Sequence, residues 1–336
     1  MPRKQSQRVS DVKQQLEERL RGSRYQPGDR FLSAREVATE FSVSYQTAHR
    51  LLSTLCDAGL VERRSASGTY LPGGGDPSGT KVSYESVQLF FDVRARRAGS
   101  FGARLLEGLG QHLRRDRISW EVVWTDSPEI MMPHAFPVFW QDGKTLARCQ
   151  AEGHPALLLN ERPAPGLEAT FLDSVSIDDY FGGVCAAQYL RQRSGQGKIT
   201  FAVITGPADD PRSRAREEGF RSVLPEAAVF AAGGWFREDG LRIAGEAIKR
   251  GADGLFCCND RLAEAVVFHC GAHHKLCPPL VGFDNAPVSQ TLNLTTVAIP
   301  WDEFLSDAAR VMRTRLSGDR SAARQHIVTP SLVVRG

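Results

Sequence analysis

Between Ser33 and Leu55 the apolar residues recur at helical spacing. Val37 and Phe41 fall on one face of a short segment, while Ala48, Leu51, Leu52 and Leu55 share one face of the next. The opposite face of that second segment carries Gln46, His49, Arg50 and Ser53. Ser33 followed by Glu36 forms a capping box, a turn falls at Ser42, Ser44 caps the second segment, and Gly59 ends it. Residues 60–64 and 68–71 then read as a hairpin bearing Arg63 and Arg64. Two short helices and a basic ribbon predict a winged helix-turn-helix, although three helices with an amphipathic last member also make an ordinary small core.

Residues 72–79 include three consecutive glycines and no apolar residue, the composition of a linker. Beyond residue 82 the period changes. Short apolar runs at 86–92, 120–125, 138–140, 156–160, 199–205, 254–258 and 279–283 are mostly separated by helical stretches. This alternation predicts parallel sheets covered on both faces, and about 255 residues suffice for two lobes. The expected plan is an α+β winged helix domain over 1–71, a linker over 72–82, and a two-lobed α/β domain over 83–336.

Charge sharpens the first assignment. The 336 residues carry 42 Lys and Arg against 39 Asp and Glu, but residues 1–72 hold 12 basic against 8 acidic. Arg3, Lys4 and Arg8 read as a basic arm that, with the wing, flanks the second helix where phosphates would lie beside an occupied major groove. Arg35, Arg63 and Arg64 are expected on phosphates, with Gln46, His49 and Arg50 at base edges. Ser44, Thr47 and Gly68 complete the surface. Tyr45 sits nearer the apolar edge, where half-burial or a contact to phosphate or a thymine methyl is as open as specific base reading.

Ligands of open α/β sheets lie at the carboxyl ends of strands. Those positions hold Asp92, Arg94, Asn160, the polar stretch 209–216 with Arg212 and Arg216, Asn259, and Asp284; Phe101, Trp140 and Trp235 lie close by. Carboxylates, amides and arginines beside flat rings suit a polyhydroxylated ligand. Asn259 fits a cap of the next helix equally well.

Other chemistry has little support. No nucleophile elbow, phosphate loop or zinc-protease motif is present, so no enzyme and no cofactor are expected. His269, Cys270, His273, His274 and Cys277 match no closed metal spacing, and no metal is assigned. Seven cysteines, no signal peptide and no long apolar run predict free thiols and a cytoplasmic chain.

Residues 8–72 resemble the GntR family of winged-helix repressors. The resemblance rests on residues 25–33, Arg35, Val43, Ser44, Thr47, residues 59–64, Gly68 and Thr69. Leu32, Ala34, Tyr45 and Ala66 depart from the pattern, which implies a different operator sequence. Residues 84–335 resemble the LacI/GalR regulatory domain, itself similar to periplasmic sugar-binding proteins. Ser100, Phe101, Asp178, Gly182, Gly219, Asn259, Asp260 and residues 281–285 carry that match. It implies a homodimer on an inverted repeat, acting as an effector-responsive repressor. Arg216, Asn259, Asp284, Trp235 and Asn160 would meet a sugar or nucleobase, with Arg216 foremost. Two departures stand out: no helix fits between residues 125 and 138, and Ile299 replaces a frequent polar cleft residue. They keep open a second reading, in which a degenerate sensor serves only for dimerisation.

Overall fold

The computed structural model describes residues 2–21, 29–57, 60–64, 68–70, 84–127, 131–151, 154–162, 172–193, 199–319, 321 and 323–335. The linker expected at 72–82, Gly59 and Ala66 lie outside the described residues. The N-terminal unit comprises α1 (Pro2–Arg21), β1 (Arg30–Phe31), α2 (Ala34–Glu40), α3 (Tyr45–Asp57), β2 (Glu62–Arg64) and β3 (Gly68–Tyr70). The capping box forms as the spacing requires. Ser33 N–H donates to Glu36 Oε2 at 2.6 Å, and Glu36 N–H donates to Ser33 Oγ at 3.2 Å. Val37, Ala48, Leu51, Leu52 and Leu55 are all buried together.

Two features correct the sequence reading. Arg3, Lys4 and Arg8 belong to a 20-residue helix rather than an arm. Val9, Val12, Leu16 and Leu20 give that segment a helical stripe, which packs on the α2–α3 core with Leu16 fully buried. The ribbon also gains a third strand, in the order β1-β3-β2, because Phe31 is anchored in the same core.

The larger unit holds two six-stranded sheets. In the first lobe β4 (Ser86–Phe91), β5 (Ser119–Trp124), β6 (Ala135–Trp140), β7 (Ala156–Leu159), β8 (Leu172–Ile177) and β14 (Gln325–Val328) lie in the order β14-β8-β7-β6-β4-β5, all parallel. Helices α4 (Phe101–Arg115), α5 (Gly143–Ala151) and α11 (Trp301–Leu316) accompany it. The second lobe has β9 (Phe201–Thr205), β10 (Ala228–Ala231), β11 (Gly254–Cys257), β12 (Leu280–Asp284), β13 (Thr295–Ala298) and β15 (Ser331–Val333), ordered β10-β9-β11-β12-β13-β15. Its helices are α6 (Asp179–Arg193), α7 (Pro211–Val223), α8 (Arg237–Lys249), α9 (Asp260–Ala272) and α10 (Pro287–Thr291). Only β15 runs antiparallel to its neighbour. The chain crosses between lobes three times, at residue 178, at 299–300 and at 329–330. Asp178 N–H bonds Val328 O at 2.9 Å, so two crossings lie side by side.

No described residue between β5 and β6 is helical, as the sequence implied. Buried Gln88 of β4 pins this short connection by accepting Met132 N–H at 3.0 Å. Met131 and α5 cover the stacked Phe90–Phe139 pair, whose ring centroids are 4.9 Å apart. Ile299 lies buried in the apolar core at a crossing. Between α6 and α7 a side chain at Gly219 would stand 1.9 Å from Tyr180 O, and one at Gly183 2.2 Å from Arg216 O. Glycine at both positions lets the helix backbones approach, and this sets Arg216 beside Asp179. Among the described residues no helix is long and apolar enough to cross a membrane.

Candidate functional site

Two surfaces present polar chemistry that the cores do not use. The first is the outer face of α3. Ser44 caps the helix by accepting Thr47 N–H at 3.1 Å, and its hydroxyl lies 2.9 Å from that of Thr47. These two hydroxyls therefore hold the helix end. Gln46, His49 and Arg50 are exposed, as is Arg35 of α2. Tyr45 is 54% exposed, and its ring leans toward His49. Arg63 and Arg64 lie in β2, whose pairing with β3 reaches Gly68 at φ +119°, a conformation that glycine adopts without strain.

The second is a cavity of about 380 Å³ between the lobes. Residues following β4, β6, β7, β11 and β12 reach it, as do the starts of α4, α9 and α11. It gathers Phe101, Asn160, Arg212, Arg216, Trp235, Asn259 and Asp284 from the sequence candidates. Asp92 is not among its walls: its carboxylate caps the turn Val93–Arg96 and pairs with Arg94 at 2.7 Å. Its spacing after a strand is that of a cap, which explains the misassignment.

Several of the gathered side chains are already engaged. Arg216 donates to Asp179 at 2.7 Å and to Cys258 O at 2.5 Å, and approaches Asp284 at 3.5 Å. Its burial alone would lower the guanidinium pKa, but Asp179 and Asp284 raise it. Asn259 caps α9 through Leu262 N–H and donates to Trp235 O, both at 2.8 Å. Arg212 pairs with Asp210, which also accepts Trp235 Nε1–H at 3.1 Å. Burial would raise the Asp210 carboxyl, yet those donors hold it down to about 2. These groups build the wall and orient its rings.

Others have no protein partner. Both amide atoms of Asn160 and the indole Nε1 atoms of Trp140 and Trp301 are buried without a hydrogen bond. All three residues line the cavity. An unsatisfied buried donor or acceptor costs about 1–3 kcal/mol, and the three residues that carry such groups border this one space. Gln141, Asn160 and Asp284 also hold left-handed backbones, with φ of 57°, 56° and 99°. Burial raises the Asp284 carboxyl to about 6 despite Arg216.

Sequence reasoning named Trp140 near a strand end and passed over Arg104, Arg261 and Trp301 as cavity residues. Arg104 lies one turn into α4, away from any strand end, while Trp301 follows the end of β13 (Thr295–Ala298), a strand absent from the apolar runs read in the sequence. Arg104 stacks 4.6 Å over Trp301, and partial burial lowers its pKa against the pull of Asp284 and Asp302. Across the mouth, Arg97 of the first lobe pairs with Glu238 of the second at 2.6 Å and covers Phe236, while Arg261 donates to Gly99 O at 3.1 Å. Among the described residues no three potential metal ligands converge, and all seven cysteines are free thiols.

Comparison with known proteins agrees with both halves. Residues 8–71 match the model of bacterial regulatory proteins of the gntR family, and residues 188–336 match the periplasmic binding protein-like domain. The HTH-type transcriptional regulator DegA of Bacillus subtilis (strain 168) is 31% identical over 176 residues, which is 49% of this chain and 51% of DegA. The histidine utilization repressor of Klebsiella aerogenes is 31% identical over 85 residues, 25% of this chain and 34% of that one. The chain thus spans about half or less of the length of these curated relatives. Among solved structures, a complex of the transcriptional regulator CelR with cellobiose aligns over 91% of this chain and 99% of its own, with TM-score 0.63 and 18% identity. A ribose-bound LacI family regulator from Enterococcus faecium aligns over 74% and 97%, with TM-score 0.62 and 20% identity. These relatives are regulators rather than enzymes. The chain thus joins a region that matches the gntR family of bacterial regulatory proteins to a region that matches the periplasmic binding protein-like domain, within a two-lobed fold shared with LacI-family structures.

Proposed function

We propose that this chain is a cytoplasmic, effector-responsive repressor. In this reading residues 1–71 read duplex DNA, residues 72–82 link, and residues 83–336 sense a small polar ligand and dimerise. The observation that carries it is the interlobe cavity in which Asn160, Trp140 and Trp301 present buried polar atoms without partners. A ligand there would complete those bonds and fix the angle between lobes, and in a homodimer that angle sets the spacing of two readers on an inverted repeat. The ligand alters DNA affinity only as far as it binds the two lobe arrangements unequally. Arg35, Arg63 and Arg64 would clamp phosphates, while Gln46, His49 and Arg50 read base edges. The cellobiose and ribose carried by structural neighbours support a sugar or sugar derivative as the starting class.

The alternative, a sensor lobe kept only for dimerisation, draws on the β5–β6 connection, none of whose described residues is helical, and on buried Ile299. The unsatisfied cavity groups weigh against it. The test is selection of duplexes by the full chain, followed by its melting against sugars, sugar acids, sugar phosphates and nucleobases. An effector at about 100 times its dissociation constant adds about 2.7 kcal/mol. Recovery of one inverted repeat and one stabilising compound is the expected result. Selection without any stabilising compound would favour the dimerisation reading, and failure to select DNA would remove both.

A further inference from the structure

The cavity carries more arginines than carboxylates, and two of those arginines form no close ion pair, although Asp284 and Asp302 act on Arg104 from farther away. Five arginines line it, at 94, 104, 212, 216 and 261, against the carboxylates Glu107 and Asp284. Three of the five have ion-pair partners: Arg94 with Asp92, Arg212 with Asp210, and Arg216 with Asp179 and Asp284. Among the described residues Arg104 and Arg261 have no carboxylate within ion-pair distance. Arg104 lies flat over Trp301, and the bond given for Arg261 goes to a neutral carbonyl, Gly99 O. One belongs to α4 of the first lobe, the other to α9 of the second.

The unpartnered buried groups lean the same way. The indole N–H groups of Trp140 and Trp301 only donate, and the amide of Asn160 adds a donor to its acceptor oxygen. A neutral sugar hydroxyl both donates and accepts, so sites built for it balance the two roles. A carboxylate or phosphate only accepts, and its bonds to arginine are the stronger, charge-assisted kind. Phe101, Trp235 and Phe236 add flat, largely apolar faces to the lining.

We propose that the effector is an organic anion, whose carboxylate or phosphate is held between Arg104 of one lobe and Arg261 of the other while its less polar body lies against the aromatic walls. This deepens the sensor reading above and rests on it. The anion supplies a close counterion to both lobes together, so its binding favours the closed arrangement that Arg97–Glu238 already bridges.

The test is titration of the full chain with matched sets in which a neutral hydroxymethyl group is replaced by, or esterified to, an anionic one: glucose, glucuronate and glucose 6-phosphate; ribose and ribose 5-phosphate; benzyl alcohol and benzoate. One anion is expected to bind at least about tenfold tighter than its neutral partner, with a preference that fades at about 0.5 M salt. The carboxylate and phosphate arms identify which anion it is. Arg104→Gln and Arg261→Gln should each abolish the preference, and Arg104→Lys should retain part of it. Ligand-free melting of each variant establishes that the fold is intact. Equal or tighter binding of a neutral partner, or a preference that survives both glutamine substitutions, overturns this proposal and leaves the sensor reading standing. Binding of no member of any set counts against both.

Discussion

Arg216 and Asp179 form a buried ion pair at 2.7 Å, with side chains only 4% and 10% exposed, that ties α7 to the first turn of α6. Its geometry makes Arg216 an anchor of the wall before it is a ligand contact. Arg216→Ala leaves Asp179 buried without its ion-pair partner and takes the closest cation from Asp284. The expected loss is about 3–5 kcal/mol of unfolding free energy in urea titration, partly recovered in the double variant with Asp179→Ala. A loss under about 1 kcal/mol would show that the pair is not structural.

Asn160 predicts the opposite pattern. Its amide is buried without partners and its φ is 56°, so glycine removes the unsatisfied group and accepts the backbone. Asn160→Gly should leave the ligand-free chain within about 1 kcal/mol of the parent stability while weakening effector binding. Calorimetry on both proteins decides the matter: unchanged effector affinity would mean that the amide faces no ligand.

The pH dependence of stability separates Asp284 from ordinary carboxylates. Its folded pKa is raised from 3.8 to about 6, chiefly by burial. The folded state thus holds a proton that the unfolded chain releases, and the associated stability is present below about pH 4 and lost as pH rises through about 6. The difference in unfolding free energy between parent and Asp284→Asn should shrink across that window. A flat difference would contradict the raised pKa. Asp210, held down to about 2, acts in reverse: its contribution is present above about pH 4 and lost as pH falls through 2.

On the reading helix, Arg50→Ala is expected to cost about 1–3 kcal/mol of DNA affinity, concentrated at particular operator positions. Binding to a library of single-base operator variants measures this. A uniform loss across the library would assign Arg50 to phosphate.

Much of this was legible in the sequence because local rules governed it. The Ser33–Glu36 box, the α3 stripe and the strand runs depend on neighbours a few residues away, and each formed where its spacing placed it. The cavity was found through strand ends, which brought seven of eight candidates together. What the sequence hid was which groups are already partnered. Asn259 and Arg216 look like ligand contacts in one dimension, but their bonds go to Trp235 O, Asp179 and Cys258 O, brought near by folding. Arg104 is far from any strand end along the chain and Trp301 follows β13, a strand that the apolar runs did not mark, yet the packing of α11 against α4 stacks them. The N-terminal helix was missed for a plainer reason: its charges drew attention from the stripe of Val12 and Leu16 beneath them.

The most direct test of ligand-controlled DNA binding is fluorescence anisotropy of the full chain on its selected operator, with and without a compound that stabilises it. The account predicts that such a compound shifts operator affinity by about tenfold or more, a coupling of at least about 1.4 kcal/mol. It also predicts that the shift disappears in Asn160→Gly. Operator affinity unmoved by every compound that binds the cavity would contradict it.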